Sequence, residues 1–279
     1  AERAAGKAPD NLAAAWDLPD WLLPLWQESL GDGAEAAARA SQARAPVTLR
    51  LRAESALEAL TRDGITAQPN RRAARAATVT DGARALRQSR AWADGLVELQ
   101  DASSQAVVEG IAPSGDGRAL DYCAGGGGKA LALADGGWAV AAHDADPARM
   151  ADLPARAARA GVSVDIAQTP QGAFDLVLCD APCSGSGAWR RAPQGKWALD
   201  PARLAALQDM QAAILDAARA HVGPEGTLVY ATCSVLRPEN EDQVDAFLDR
   251  HSGWVCTSRT RWPLDADGDG FFAAHLRQA

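Results

Sequence analysis

The sequence predicts an α/β protein whose main sheet lies after residue 118. Short apolar strands alternate there with segments of helical periodicity, as in a parallel sheet covered by helices on both faces. A run of glycines separates the first of these strands from the next helix, and cysteines follow two later strands. Open α/β sheets bind ligands beyond the carboxyl ends of their strands, so these segments are candidates for one site.

Composition narrows the class of protein. With 279 residues the chain can form one large domain or two smaller ones. It has no apolar run near the ~18 residues of a membrane span and no charged-then-apolar signal segment, so we expect a soluble, cytoplasmic monomer without a membrane partner. Five cysteines at no C-x-x-C spacing indicate reduced thiols, and four scattered histidines predict no metal site.

Charge is distributed unevenly along the chain. The net charge is −8, which by itself argues against a nucleic-acid partner because lysine and arginine dominate phosphate binding. Residues 36–90, however, contain 11 arginines and 4 acidic residues, which gives this segment a net charge of +7. This segment predicts a polyanion-binding surface, and a solvated arginine-rich face is the alternative.

We divide the chain into a helical leader (1–45), a small α+β domain (46–105) and a larger α/β domain (106–279). Trp16, Trp21 and Trp26 stand among apolar neighbours in the leader, which we expect to pack against the body. The small domain is predicted to begin with a strand at 46–52 and a helix at 53–62. In the larger domain the predicted strands are 119–124, 138–143, 162–166, 174–179, 227–232 and 270–276, and the predicted helices are 147–160, 201–221 and 238–251.

The glycine run after the first strand of the larger domain resembles a nucleotide-binding turn. It lacks the pattern of a phosphate-binding P-loop, because Cys123 stands where glycine is needed and Ala130 where serine or threonine is needed. Gly125-x-Gly127-x-x-Ala130 satisfies a loose dinucleotide fingerprint, and Asp144 follows 19 residues after Gly125. An acid at that position hydrogen-bonds ribose hydroxyls. A structural turn with a solvated aspartate is the alternative.

Two cysteines lie just beyond predicted strand ends, Cys183 in the segment Asp180-Ala-Pro-Cys and Cys233 in Thr-Cys-Ser. Both thiols should face one pocket at the carboxyl edge of the sheet, which indicates covalent chemistry. The other cysteines, Cys123, Cys179 and Cys256, are expected to be small buried side chains.

A basic segment with two tryptophans follows the first of these cysteines. Trp189 and Trp197 could stack on bases, with Arg190 and Arg191 on phosphates, as in single-stranded nucleic-acid grooves. Lys196 lies in the same segment. An amphipathic loop packed on the sheet is the alternative.

Several motifs in the same order resemble those of the S-adenosylmethionine-dependent RNA 5-methylcytosine methyltransferases of the RsmB/Nop/Sun family, with its 16S rRNA branch closest. The likeness covers about residue 46 to the C-terminus. The motifs are Asp121-Tyr-Cys-Ala-Gly-Gly-Gly-Gly-Lys, Asp180-Ala-Pro-Cys-Ser-Gly-Ser-Gly, Lys196-Trp, Ala231-Thr-Cys-Ser-Val-Leu-Arg-Pro-Glu-Asn-Glu, Asp269-Gly-Phe-Phe, and upstream Leu49-Arg-Leu-Arg and Val97-Glu-Leu-Gln-Asp-Ala-Ser-Ser-Gln.

The resemblance implies a Rossmann-like seven-stranded methyltransferase sheet and a two-thiol mechanism. Cys233 is then the nucleophile that adds to carbon 6 of cytosine, Asp180 acts on ring nitrogen 3, and Cys183 assists release of the product. Lys129 either lowers the pKa of the thiolate or holds the substrate. The resemblance also implies S-adenosylmethionine as cofactor, bound by Cys123, Ala124, Gly125, Gly126, Gly127, Gly128, Lys129, Asp144 and Asp180.

RNA is the implied partner, as 16S rRNA or a small-subunit precursor, and the small domain is expected to help bind it. The side chains expected to contact it are Arg50, Arg52, Arg190, Arg191 and Lys196.

The sequence departs from the family pattern, because Gly125 and Gly126 replace an Ala-Pro pair and Gln168 stands where an acid is usual. An RNA-binding assembly factor with a degenerate methyltransferase core is therefore the main alternative. A DNA cytosine methyltransferase, whose nucleophile would be the Pro-Cys thiol, and a nicotinamide-dependent oxidoreductase explain fewer of the motifs.

Overall fold

Three short helices precede the first sheet. The computed structural model describes residues 11–111 and 117–279, so the first ten residues of the predicted leader lie outside the described part. The helices are α1 (Leu12–Ala15), α2 (Leu22–Leu30) and α3 (Ala34–Gln42). Asn11 caps α1, because its side chain accepts a hydrogen bond from the backbone N–H of Ala13 at 2.7 Å.

The leader packs on the larger domain through an apolar cluster. Trp26 is fully buried and stacks on Trp189, with 6.0 Å between ring centroids and 14° between ring planes. Its indole N–H donates to the carbonyl of Ala34 at 2.9 Å, as a buried indole requires. Leu204 and Leu236 belong to the same cluster. The expectation that the leader tryptophans pack against the body is confirmed for Trp26.

The small domain is an antiparallel four-stranded sheet with helices on one side. Its strands, in the order β2-β3-β1-β4, are β1 (Val47–Leu51), β2 (Thr66–Pro69), β3 (Ala76–Asp81) and β4 (Val97–Leu99), and its helices are α4 (Ala56–Arg62) and α5 (Arg90–Ala93). Leu49, Leu60 and Ile65 are fully buried in its core.

The larger domain contains a seven-stranded sheet, which confirms the predicted α/β class. Its strands are β5 (Arg118–Asp121), β6 (Ala139–Ala142), β7 (Val164–Ile166), β8 (Phe174–Asp180), β9 (Val222–Thr232), β10 (Trp254–Trp262) and β11 (Phe271–Gln278). Its helices are α6 (Ala102–Glu109), α7 (Gly128–Asp135), α8 (Leu153–Ala160), α9 (Gln194–Ala198), α10 (Pro201–Ala218) and α11 (Glu241–Arg250).

The strand order of this sheet is β10-β11-β9-β8-β5-β6-β7. The chain adds strands on one side of β5 first and then on the other, so the strand order reverses between β5 and β8. Strands β5 to β9 run parallel to one another, whereas β11 is antiparallel to both of its neighbours, β9 and β10. A crevice forms at such a reversal, outside the carboxyl ends of the strands. The two faces of the sheet carry separate cores, one around Leu131 and Leu153 and the other around Leu215 and Phe247.

Two predicted helices are interrupted, and the strand β10 has no counterpart in the sequence prediction. The segment 147–160 forms a 3-10 turn at Pro147–Met150 before α8, because Pro154 lacks an N–H and fits the first turn of a new helix. The helix predicted at 238–251 is interrupted at Asn240. The side chain of Asn240 hydrogen-bonds to Thr232 and Ser234, and such bonds compete with helix formation. Across the described ranges, no helix is long and apolar enough to cross a membrane.

Candidate active site

Two thiols meet at the carboxyl edge of the larger sheet. Cys183 lies three residues after the end of β8, and Cys233 directly follows β9. These strands are parallel neighbours, with Asp180 paired to Ala231, so their following loops emerge side by side. The two Sγ atoms are 3.5 Å apart, and both side chains are partly exposed. The structure thus brings together the two cysteines that the sequence singles out.

The surroundings of Cys183 oppose its ionisation. The hydrogen bond with Cys233 raises the pKa of Cys183 well above its ordinary value, and burial and the negative charge of Glu239 act in the same direction. The Cys183 thiol is therefore hard to ionise, and its Sγ lies within hydrogen-bond contact of Cys233 Sγ at 3.5 Å.

An ion pair lies at the reversal of strand order. Lys129, in the first turn of α7, donates from Nζ to Oδ2 of Asp180 at 2.6 Å. The side chain of Lys129 is 6% exposed and its Nζ also lies 5.0 Å from the ring centroid of Phe271. Asp180 remains 32% exposed, so its carboxylate is held in place by the lysine while still facing the crevice. The contact holds the Asp180 carboxylate in place, and the two roles considered for Lys129, lowering the pKa of the thiolate or holding the substrate, both stay predictions.

The glycine turn between β5 and α7 is tightly held. Gly127 has a φ of +79°, and a Cβ there would overlap the side chain of Leu153. Gly125, with φ +52°, donates its N–H to Oδ2 of Asp144 at 2.8 Å. The carbonyl of Gly126 accepts from Arg156. The glycines that replace the family's Ala-Pro pair are therefore fixed by hydrogen bonds from two other elements.

Three carboxylates lie at the ends of three neighbouring strands: Asp121 on β5, Asp144 after β6 and Asp180 on β8. Asp121 is buried, and within the described residues neither of its oxygens has a hydrogen-bond partner. Burial, followed by the charge of Asp180, raises its pKa to about 7. Sequence reasoning missed Asp121 as a site residue, although an acid that ends a buried strand directly before a glycine turn is a recognisable signal.

This donor set fits S-adenosylmethionine. Carboxylates next to a glycine turn suit ribose hydroxyls and a cationic amino acid moiety, and the buried Asp121 carboxyl offers acceptor atoms to a ligand donor at the same place. Cys123 lies beside this set, where burial and then Asp121 raise its pKa above the ordinary value. Cys179 is fully buried and burial likewise raises its pKa, so both thiols are hard to ionise.

The two arginines expected to bind RNA in the small domain both make ion pairs within the protein. Arg50 is 3% exposed and pairs with Asp135 at the end of α7. Arg52 binds the same carboxylate at 2.5 Å and the carbonyl of Gly95. The two side chains join the small domain to the larger one. Burial of Arg50 corrects the expectation that it contacts RNA phosphates, because its charge is already compensated inside the protein.

In the basic segment after Cys183 the expected RNA contact is corrected for Arg190 and Lys196, which are buried, whereas the side chain of Arg191 is 37% exposed and its expected RNA contact stays a prediction. Arg190, 8% exposed, donates to Asp269 at 2.7 Å, and Arg191 donates to the same carboxylate at 2.5 Å. Lys196 is 1% exposed and pairs with Asp17 of the leader. These contacts show the alternative considered above, a loop packed on the body. Trp189 is buried as well, whereas Trp197 is 57% exposed and available to a ligand.

A reversing, mostly parallel sheet with a glycine turn, three strand-end carboxylates and paired thiols defines a Rossmann-like methyltransferase fold with a two-thiol site. The chain belongs to the 16S rRNA methyltransferase RsmB/F family, whose model matches residues 108–277. A second model, the ferredoxin-like domain of RsmF/B-like methyltransferases, matches residues 18–84 and so begins within the predicted leader.

Relatives and solved structures agree with this assignment. Ribosomal RNA small subunit methyltransferase B of Serratia proteamaculans (strain 568) is 34% identical over 289 residues, which cover 92% of this chain and 66% of the relative. The protein of the same name from Enterobacter sp. (strain 638) is also 34% identical, with the same coverage. The chain thus spans slightly less than two thirds of these relatives' length.

Among solved structures, PH0851 superposes with a TM-score of 0.90 at 24% identity, covering 99% of this chain and 70% of the other. A methyltransferase homolog protein from Pyrococcus horikoshii gives a TM-score of 0.82 at 22% identity, covering 96% of this chain and 97% of the other. At these identities the likeness establishes the fold.

Proposed function

We propose that this protein transfers a methyl group from S-adenosylmethionine to carbon 5 of a cytosine in RNA, with 16S rRNA or a small-subunit precursor as substrate. The observation that carries the proposal is the pair of thiols 3.5 Å apart beside Asp180, in the crevice of a methyltransferase fold. Membership of the RsmB/F family and relatives named for the small-subunit rRNA support the RNA substrate.

Carbon 5 of cytosine is a poor nucleophile, which explains a need for covalent catalysis. The Cys233 thiolate adds to carbon 6, and the displaced electron pair makes carbon 5 nucleophilic. A proton held between Lys129 and Asp180 is available to ring nitrogen 3 and offsets the charge that develops there. The target base must leave its stack to reach this crevice.

S-adenosylmethionine would be held by the glycine turn, Asp121 and Asp144, and when bound it supplies the electrophilic methyl group. Product release then requires that carbon 5 lose its proton to solvent and that the bond between carbon 6 and Cys233 break. Cys183 assists this cleavage, because its S–H can donate to the departing Cys233 thiolate. The two cysteines therefore divide attack and release between them.

Transfer of labelled methyl groups from S-adenosylmethionine tests this function. Unmodified 16S rRNA transcripts and small subunits should accept label from the wild-type protein, and 23S rRNA should not. Cys233→Ala should abolish transfer, whereas the matched control Cys256→Ala, on β10 far along the chain from the crevice loops, should retain it. Absence of label in every RNA tested, by a protein that also fails to bind the cofactor, would instead support the RNA-binding factor.

A further inference from the structure

A buried carboxylate lies directly behind the paired thiols. Glu239 ends the 3-10 turn Arg237–Glu239 and is fully buried. It accepts four hydrogen bonds, all from uncharged donors: Ser184 N at 2.7 Å, Ser184 Oγ at 2.5 Å, Ser234 Oγ at 2.6 Å and Gln211 Nε2 at 3.1 Å. Burying an anion without a cation is costly, and only such charge-assisted hydrogen bonds make it tolerable.

The donors connect Glu239 to both thiols. Ser184 directly follows Cys183, and Ser234 directly follows Cys233. One oxygen, Oε2, receives both serine hydroxyls, so a single atom joins the two loops at the residues next to the thiols. The 3.5 Å separation of the Sγ atoms therefore depends on the position of this carboxylate.

The turn that carries Glu239 is itself held by β9 and by the loop that follows it. The hydroxyl of Tyr230 on β9 donates to the Glu239 carbonyl at 2.6 Å. The neighbouring Asn240 accepts from Thr232 at 2.6 Å and donates to the Ser234 carbonyl at 3.0 Å. These bonds fix the turn against the strand that carries Cys233, so that the carboxylate has one position.

The charge of Glu239 also acts on the chemistry of the pair. Its anion is close enough to Cys183 to disfavour a second negative charge there. The titratable groups that face Cys183 are Cys233 and Glu239, with Tyr230 behind them. A neutral side chain of the same shape at position 239 would preserve the packing but remove this repulsion.

We propose that Glu239 is the positioning residue of the paired thiols: its carboxylate, which accepts from the serines that follow both cysteines, sets the spacing of the two Sγ atoms. The proposal deepens the two-thiol mechanism and rests on it for its catalytic meaning. Its geometric content, however, can be tested without methyl transfer.

The test compares Glu239→Gln with the wild type and with Glu241→Gln. Glu241 is a matched control, because its carboxylate lies two residues away and binds Arg261 instead of the cysteine loops. Alkylation of Cys183 and Cys233 by iodoacetamide is followed separately by peptide mass spectrometry across the pH range in which thiols titrate. Diamide-driven formation of a Cys183–Cys233 disulfide, measured in parallel, reports their spacing.

In the wild type and in Glu241→Gln we expect alkylation of Cys183 to require high pH, because its pKa is raised. In Glu239→Gln the pH at which Cys183 reacts should fall, because a negative charge beside it is removed. The disulfide should form roughly tenfold more slowly, as expected for the loss of about one charge-assisted hydrogen bond. A merely structural role would not shift the pH at which Cys183 reacts. Unchanged thiol profiles and disulfide rates in Glu239→Gln would overturn the proposal.

A second variant tests the proposal even if Glu239→Gln does not fold. Ser184→Ala removes one hydroxyl donor to Oε2 at a partly exposed position, while the charge of Glu239 stays. It should slow disulfide formation without moving the pH at which Cys183 reacts, and an unchanged rate would count against the spacing role. If the wild type shows these thiol properties but transfers no methyl group, the proposed function fails and the positioning role stands.

Discussion

Lys129 and Asp180 form an ion pair of 2.6 Å on opposite sides of the point where the strand order of the sheet reverses. The lysine lies in the first turn of α7 and the aspartate ends β8, so the pair joins the glycine-turn side of the crevice to the side that carries the thiols. Cofactor and base are therefore expected to meet at this pair.

Removal of the lysine amine should impair catalysis. Lys129→Met leaves Asp180 without its proton source, and kcat should fall about 100-fold or more, the usual contribution of a general acid. The matched control is Lys196→Met, which removes an equally buried amine from its pair with Asp17 outside the crevice. That control should lower the melting temperature with little change in kcat of the folded protein, and an equal loss of kcat in both variants would contradict the role of Lys129.

The raised pKa of the buried Asp121 should make the stability of the protein depend on pH in a specific way. Because burial raises its pKa from 3.8 to about 7, the folded state holds the proton more tightly than the unfolded state. Ionisation of Asp121 therefore lowers the free energy of unfolding. This loss is absent below pH 3.8, grows as the pH rises, and is complete above about 7. Asp121→Asn should remove it, so that the variant gains up to about 4 kcal/mol over the wild type at high pH and nothing at low pH.

Urea denaturation at several pH values, without cofactor, measures this difference. A difference in unfolding free energy that does not change with pH would show that Asp121 is not a buried acid with a raised pKa. The same variant should bind S-adenosylmethionine more weakly, because an amide offers the cofactor's cation no charge.

Substitution of Gly187 tests how closely the loop after Cys183 approaches the start of β11. A Cβ at Gly187 would overlap the carbonyl oxygen of Gly270, and the N–H of Gly187 donates to the carbonyl of Cys233 at 2.9 Å. Gly187→Ala should therefore cost about 1–3 kcal/mol of stability and reduce methyl transfer, since the loop must move away from the nucleophile. Gly33→Ala is the control, because a Cβ there meets no atom within 4 Å. Equal stability and activity of the two variants would contradict the packing described.

Substitution of Arg50 distinguishes a structural role of this side chain from a role in RNA binding. Arg50→Ala leaves Asp135 with one partner fewer in a buried setting and should cost about 3–5 kcal/mol. The slope of RNA affinity against salt concentration should stay unchanged, because no phosphate contact is lost. A slope reduced by about one unit, with little change in melting temperature, would restore Arg50 to the RNA interface.

The sequence predicts the meeting of Cys183 and Cys233 because strand order and loop position follow from local patterns. Both cysteines come just after apolar strands, and parallel neighbours place such loops together. Asp121 and Glu239 are harder to predict. Their roles depend on burial and on which donors surround them, and Gln211 lies 28 residues from Glu239 along the chain.

The arginines show a second limit. A basic composition predicts an attraction to polyanions, but the partner of Arg50 is Asp135, 85 residues away on another domain. Nothing in the local pattern distinguishes an arginine that crosses a domain interface from one that faces solvent. The breaks at Pro154 and Asn240 are intermediate cases, since proline and asparagine indicate an interruption without fixing its exact place.

The most direct test of the two-thiol account is the covalent intermediate of Cys183→Ala. This variant keeps the nucleophile but loses the S–H that assists its departure, so incubation with 16S rRNA and cofactor should leave a protein–RNA adduct that migrates slowly on a denaturing gel. The double variant Cys183→Ala with Cys233→Ala should form none. An adduct with Cys233→Ala and none with Cys183→Ala would contradict the account and make Cys183 the nucleophile.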